Sequence, residues 1–258
     1  MFTYLWLKEI KAQVYTWKGT LWLVIASLLF SFTSYLLLTD KELSLLDQTE
    51  LLWLLSKVII GMAFLIVAVD SSSIINSEFE KETAESLFLS PVDIRDFVLG
   101  KLLASLTLWF AIFMVATPYI IVTSLGTHLV LPFLGYVLVL GTVGISGMII
   151  LIFGISFLYR STKNTLTTSL IILLGLSVPA LFSSALRNNA FAQILGRINP
   201  LENTFECLDN VLVDYRISSL DNWRYVWPLF LFCVIAFVFL LFSVNRFQKQ
   251  GVTKSVET

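Results

Sequence analysis

Three carboxylates, Glu78, Glu82 and Glu85, follow one another at i, i+4 and i+7 in the run EFEKETAESLFLSPVDIRDFVLGK between residues 78 and 101. On a helix that spacing puts them on one face, where they would attract cations. Ser90, Pro91 and Asp93 then carry the pattern of a helix start, with Ser90 as N-cap, Pro91 at the first helical position and Asp93 reaching back in a capping box. The run therefore reads as two helical pieces joined by a capped bend, with acids on one side and Leu87, Phe88 and Leu89 near the apex. A soluble partner could grip such an elbow. The same residues also fit a solvated loop whose charges serve solubility.

A second constellation is Asp70, Ser71, Ser72 and Ser73 at the end of an otherwise apolar stretch. A carboxylate beside three hydroxyls could coordinate an ion as an intramembrane carrier, the alternative being a hydrogen-bonded interface residue. Asp70 falls near the end of its stretch rather than the middle, and the halves of the chain show no internal symmetry, both of which favour the interface. His128 is the only histidine and no H-E-x-x-H occurs, so it reads as a loop residue and not as a metal ligand. Cys207 and Cys233, the only cysteines, make neither a disulfide framework nor a metal site and read as packing residues. Gly100 and Lys101 lack a preceding phosphate loop, and no G-x-x-x-x-G-K-[ST] is present, so the chain does not bind ATP by that route.

The elements that position these residues follow from hydropathy. Of 258 residues, 57% are hydrophobic and 14% charged, and a mean hydropathy of +0.85 makes lipid the main solvent. Lys plus Arg total 17 against 18 Asp plus Glu, with no basic surplus and no motif to suggest nucleic acid. Apolar runs at Leu21–Thr39, Leu51–Ile75, Leu99–Ser124, Leu129–Leu158, Leu166–Ser184 and Tyr225–Val244 give six expected transmembrane helices in a single all-α membrane domain spanning residues 1–258. Before them, residues 1–18 place Trp6, Ile10, Val14 and Trp17 within about 80 degrees of one another, with Lys8, Lys11 and Lys18 opposite, as in an amphipathic helix lying on a membrane. No cleavage site follows, so this N-terminus is expected to be retained.

With six spans both termini share a side. Placing them in the cytoplasm puts eleven of the 17 lysines and arginines inside, and most of the remainder in one long outer segment, 187–224. Gly141, Gly144, Gly147 and Gly154 in the fourth span read as close-packing positions. Pro118 and Pro179 should kink or break the third and fifth.

The run at 78–101 resembles the signature between the second and third spans of ABC-2-type ABC transporter permeases. An acidic stretch, a threonine, a glutamate, a leucine-rich run, a Ser-Pro step and a Gly-Lys pair recur there, here Glu78, Glu80, Thr83, Glu85, Leu87 to Leu89, Ser90, Pro91, Gly100 and Lys101. Glu82 stands where that family usually carries glycine. The resemblance extends to the interfacial N-terminal helix, the six spans and an outer segment with Asn199, Pro200 and an amphipathic run from Leu201 to Val213, which in the family forms short helices that partly re-enter the membrane. Heme-exporter B permeases share the Leu-Ser-Pro step but are usually shorter and lack so long an outer segment.

The resemblance implies a membrane subunit of the bacterial inner-membrane type, paired with a second permease copy and resting on two ATP-binding subunits that carry the ATP and magnesium. The chain itself would bind no cofactor and be no enzyme. Residues 78–97 would form the coupling elbow, with Glu78, Glu80, Glu82, Thr83, Glu85, Leu87, Ser90, Pro91 and Arg95 meeting the ATPase, and Asp70, Ser71 and Ser72 a possible polar site within the membrane. Spans rich in Phe and Leu would suit export of a lipid, peptide or drug-like substrate. The competing function is an ion-coupled secondary transporter using Asp70.

Overall fold

A computed structural model describes residues 11, 13, 16–39, 47–80, 94–125, 130–181, 190–214 and 219–256. In chain order its helices are α1 (Trp17–Thr39), α2 (Gln48–Ile74), α3 (Asn76–Glu80), α4 (Ile94–Thr123) and α5 (Val130–Tyr159), then α6 (Thr162–Ser177), α7 (Ala190–Ile198), α8 (Pro200–Leu212) and α9 (Ser219–Val256). No strand occurs among the described residues. That is the outcome hydrocarbon imposes, because a lipid-facing backbone must hydrogen-bond within its own segment. The hydroxyls obey the same rule: Ser56 donates to Trp53 O, Ser105 to Lys101 O and Thr117 to Phe113 O, each bonding back along its own helix.

Five stretches among the described residues are long and apolar enough to cross a membrane: Trp17–Thr39, Gln48–Glu80, Asp96–Thr123, Val130–Tyr159 and Asn222–Gln248. The remaining expected span is shorter. Its helix α6 begins at Thr162 rather than Leu166 and ends at Ser177, and its 16 residues reach about 24 Å, less than a hydrocarbon core of about 30 Å. Pro179 supplies the reason, because it has no amide hydrogen to continue the ladder, and the chain tightens there into a 3-10 turn over Pro179–Leu181. Pro118 is held inside α4. The expected interfacial helix at residues 1–18 lies largely outside the described residues.

Helix α2 is central, packing against α1, α4, α5, α6 and α8, while α5 makes its most extensive contact with α9. The glycines of α5 explain how. A methyl group on Gly141 would lie 2.5 Å from the Trp109 ring of α4, and one on Gly144 would lie 3.0 Å from Phe64 of α2. On the α9 side a methyl at Gly147 would meet Phe232 at 2.8 Å, and one at Gly154 would meet Phe239 at 2.7 Å. Four glycines thus receive four aromatic rings from three helices, the close approach expected of small residues where apolar solvent gives no hydrophobic drive between helices. Trp109 is also oriented by its indole N–H, which donates to Thr142 Oγ1 of α5 at 2.9 Å. Helices α1 and α9 lie outermost, and residues such as Phe32, Tyr35, Val234 and Phe242 are exposed, as lipid-facing side chains should be.

Candidate functional site

Helix α2 stops at Ile74, and α3, five residues long, continues from it after the single turn residue Ile75. Four of those five residues engage other helices. The Asn76 side chain is fully buried, and its amide donates to Ser72 O at 2.8 Å, to Thr165 Oγ1 of α6 at 2.8 Å and to Ser156 Oγ of α5 at 3.3 Å. Glu78 Oε1 lies 3.3 Å from Lys101 Nζ in α4, whose side chain is 3% exposed and whose ammonium also lies 5.0 Å from the centre of the Phe97 ring. Phe79 packs at 5.9 Å from Phe157 of α5 and 5.5 Å from Phe247 of α9, and those two rings touch each other at 5.7 Å. Glu80 Oε1 accepts from the Thr162 amide at 2.7 Å.

That last contact completes a helix end. Ser161, at the N-cap of α6, makes no side-chain cap, so an amide that would otherwise be orphaned is satisfied by a carboxylate from α3, at the end of the helix dipole that favours negative charge. The corner before it is tightly turned. Arg160 has a φ of 51°, in the left-handed region that side chains rarely adopt, and its guanidinium stacks 4.8 Å from the centre of the Phe247 ring. One short helix therefore holds the ends of α4, α5, α6 and α9 together.

Asp70, one turn before the end of α2, accepts from Gln13 Nε2 at 2.6 Å. Ser72 and Ser73 donate to Val69 O and Asp70 O within their own helix, and the buried Ser71 hydroxyl has no hydrogen-bond partner among the described residues. The aspartate thus joins the N-terminal segment to α2. Among the described residues no three His, Cys, Asp or Glu side chains come together as a metal site would require.

At the other end of the bundle, residues 190–212 form α7 and α8. Asn199 Oδ1 caps α8 by accepting from the Leu201 and Glu202 amides, and its Nδ2 donates to Leu176 O in α6 at 2.8 Å. Trp53 Nε1 donates to Phe205 O at 3.1 Å, and the Lys57 ammonium lies 3.3 Å from the centre of the Trp53 ring, so α8 is docked on the first turns of α2. Asn210 donates to Asn222 at 2.8 Å, both buried, joining α8 to α9.

The sequence profile of the ABC-2 family transporter proteins matches residues 39–244, from the end of α1 to well inside α9. The chain belongs to that family. No curated protein matches it. As an ABC-2 transporter protein it is a multi-pass membrane permease subunit, and the candidate site residues expected from the sequence can be placed one by one. Glu78 and Glu80 sit on α3, and Arg95 lies in the first turn of α4. Glu82, Thr83, Glu85, Leu87, Ser90 and Pro91 lie outside the described residues. Asp70, Ser71 and Ser72 are on α2, a turn or less before its end.

Two ABC-2 residues at this end, Asn76 and Phe79, are not singled out by the sequence, and Lys101 enters there as half of the Gly-Lys pair and as one of the inner cations, not as a partner of Glu78. A buried asparagine and a buried lysine leave no periodic signal. The one available clue was polarity at positions flanking apolar runs, since such groups need partners once lipid and protein surround them.

Proposed function

We propose that this chain is the pathway-forming permease of an ABC exporter, working as a pair on two ATP-binding subunits made as separate polypeptides, with both termini in the cytoplasm. The observation that supports coupling most directly is α3. A force applied to the segment 81–93 would enter a helix already bonded to α4, α5, α6 and α9, so it would move four helices and not one. Glu82, Thr83, Glu85, Leu87, Ser90 and Pro91 form the outer part of that elbow and meet the ATPase. Glu78 and Glu80 carry the movement inward, and Arg95 begins the helix that receives it. The sixth crossing is α6 with its 3-10 extension, about 30 Å from Thr162 to Leu181 when both are counted. Asp70 serves as a tether to the N-terminal helix, a role its bond to Gln13 favours over ion coupling. The exported substrate is a lipid, peptide or drug-like amphiphile.

The test is reconstitution with the ATP-binding partner in proteoliposomes, following hydrolysis and transport together. The isolated chain should hydrolyse no ATP. Replacing Glu82 and Glu85 with lysine should weaken assembly, whereas Pro91→Gly should leave assembly intact and yield hydrolysis without transport. Wild-type transport by the double lysine variant would reduce the segment to a solvated loop.

A further inference from the structure

Where α5 and α9 meet at the α3 end of the bundle, a crevice of about 270 Å³ opens between Phe157, Leu158, Tyr159, Ser243, Arg246 and Phe247. Among the described residues no carboxylate lines it, and Arg246, exposed on α9, forms no ion pair. The other guanidinium at this corner is already engaged: Arg160 stacks 4.8 Å from the centre of the Phe247 ring, where it offsets the negative end of the α5 dipole. The two acids of α3 are engaged as well, Glu78 by Lys101 and Glu80 by the Thr162 amide. Arg246 is thus the cation that the crevice offers outward.

The level of the crevice in a bilayer follows from its two helices. Tyr159 is the last residue of α5, and Arg246 lies in the last turn of the apolar stretch Asn222–Gln248 of α9. A tyrosine and an arginine at such a boundary meet lipid head groups. Ile235, Val238, Phe242 and Arg246 fall within about 80 degrees of one another around the helix, and the first three are each more than half exposed. An apolar stripe therefore leads along the surface of α9 to the arginine, and Leu158 in the crevice wall is exposed too.

We propose that this crevice binds an anionic phospholipid, its phosphate on the Arg246 guanidinium and the Tyr159 hydroxyl and an acyl chain along Ile235, Val238 and Phe242. The crevice has room for a phosphate and its glycerol but not for acyl chains, so the stripe outside is what makes the ligand a lipid and not a soluble phosphate. Net charge sets the preference, because a zwitterionic head group brings a cation towards Arg246 with no carboxylate among the described lining residues to receive it. The site depends neither on the coupling role of α3 nor on which side of the membrane this end faces.

Native mass spectrometry of the full chain in detergent, titrated with phosphatidylglycerol or phosphatidylcholine, provides the test. The anionic lipid should bind about fivefold more tightly, the effect of one arginine at an anionic lipid surface. Arg246→Gln should remove that preference and Arg246→Lys should keep most of it, both with an unchanged melting midpoint because the side chain is exposed. Arg197→Gln, exposed at the opposite end of the bundle, should leave the preference intact. Inorganic phosphate in molar excess should not displace the lipid. Equal affinity for the two lipids, a preference that survives Arg246→Gln or is lost with Arg197→Gln, or displacement by inorganic phosphate would overturn the proposal.

Discussion

Glu78 and Lys101 meet at 3.3 Å between α3 and α4, the two helices that flank residues 81–93. Lys101 is almost wholly buried while Glu78 is partly exposed, so the lysine depends on the glutamate more than the reverse. Removing one partner of a buried pair costs about 3–5 kcal/mol, and the partial exposure of Glu78 points to the lower end. Glu78→Ala should therefore lower the melting midpoint clearly, whereas the exchange Glu78→Lys with Lys101→Glu should recover part of the loss. A thermal melt series in detergent, arranged as a double-mutant cycle, measures the coupling.

Asn76 joins the end of α2 to α5 and α6 through one amide. Asn76→Leu keeps the volume and removes the donors, at an expected cost of about 1–3 kcal/mol. Assembly with the ATPase should survive, because the residue is buried away from any partner surface, but transport per ATP hydrolysed should fall. A variant that transports with wild-type stoichiometry would remove Asn76 from the coupling path.

The glycine contacts of α5 predict a steep dependence on side-chain size. At Gly154 a methyl would lie 2.7 Å from Phe239 and 3.4 Å from the Leu240 backbone, so α9 would have to move away. Gly154→Val should destabilise the protein by about 1–3 kcal/mol through overpacking, whereas Gly175→Ala, where among the described residues nothing lies within 4 Å, should be neutral or slightly stabilising. Melting midpoints of the two variants decide the matter.

Burial within the packed face of α8 pushes the Cys207 thiol up to about 12. The folded state thus disfavours the thiolate. The stability this lends is fully present below the unfolded value of 9.0 and is lost as pH rises from there towards 12. Alkylation of Cys207 at pH 8 should be slow in the folded protein and rapid in denaturant, as read by peptide mass mapping. Fast labelling of the folded protein would show that the α8 face opens.

With Cys233 replaced by serine, that low reactivity gives a quiet background for mapping topology. Cysteines introduced at the exposed positions Asp47 and Trp223 should react with an impermeant maleimide on intact cells, and one at exposed Lys163 should react only after lysis. The reverse pattern would invert the proposed orientation.

Hydropathy and local pattern determined much of this protein without any structure. The long apolar runs became α1, α2, α4, α5 and α9 because each crossing element must satisfy its backbone alone, a property readable within a window of about 20 residues. The amphipathic run from Leu201 became α8 with Asn199 as its cap for the same local reason, and Pro179 ended α6 where a missing amide hydrogen required it. The glycines of α5 were legible as packing positions, although not which rings would fill them.

Only the tertiary structure decided the partners. Asn76 and Thr165 are 89 residues apart, and Glu80 and the Thr162 amide 82, so no local period could join them. The sequence put Glu78 on an acidic face turned towards cations; folding supplied one from inside the same chain, because Lys101 is buried in α4 and a buried ammonium must find a carboxylate. Spacing along a helix assigns a side chain to a face, but what that face meets depends on how the other helices pack.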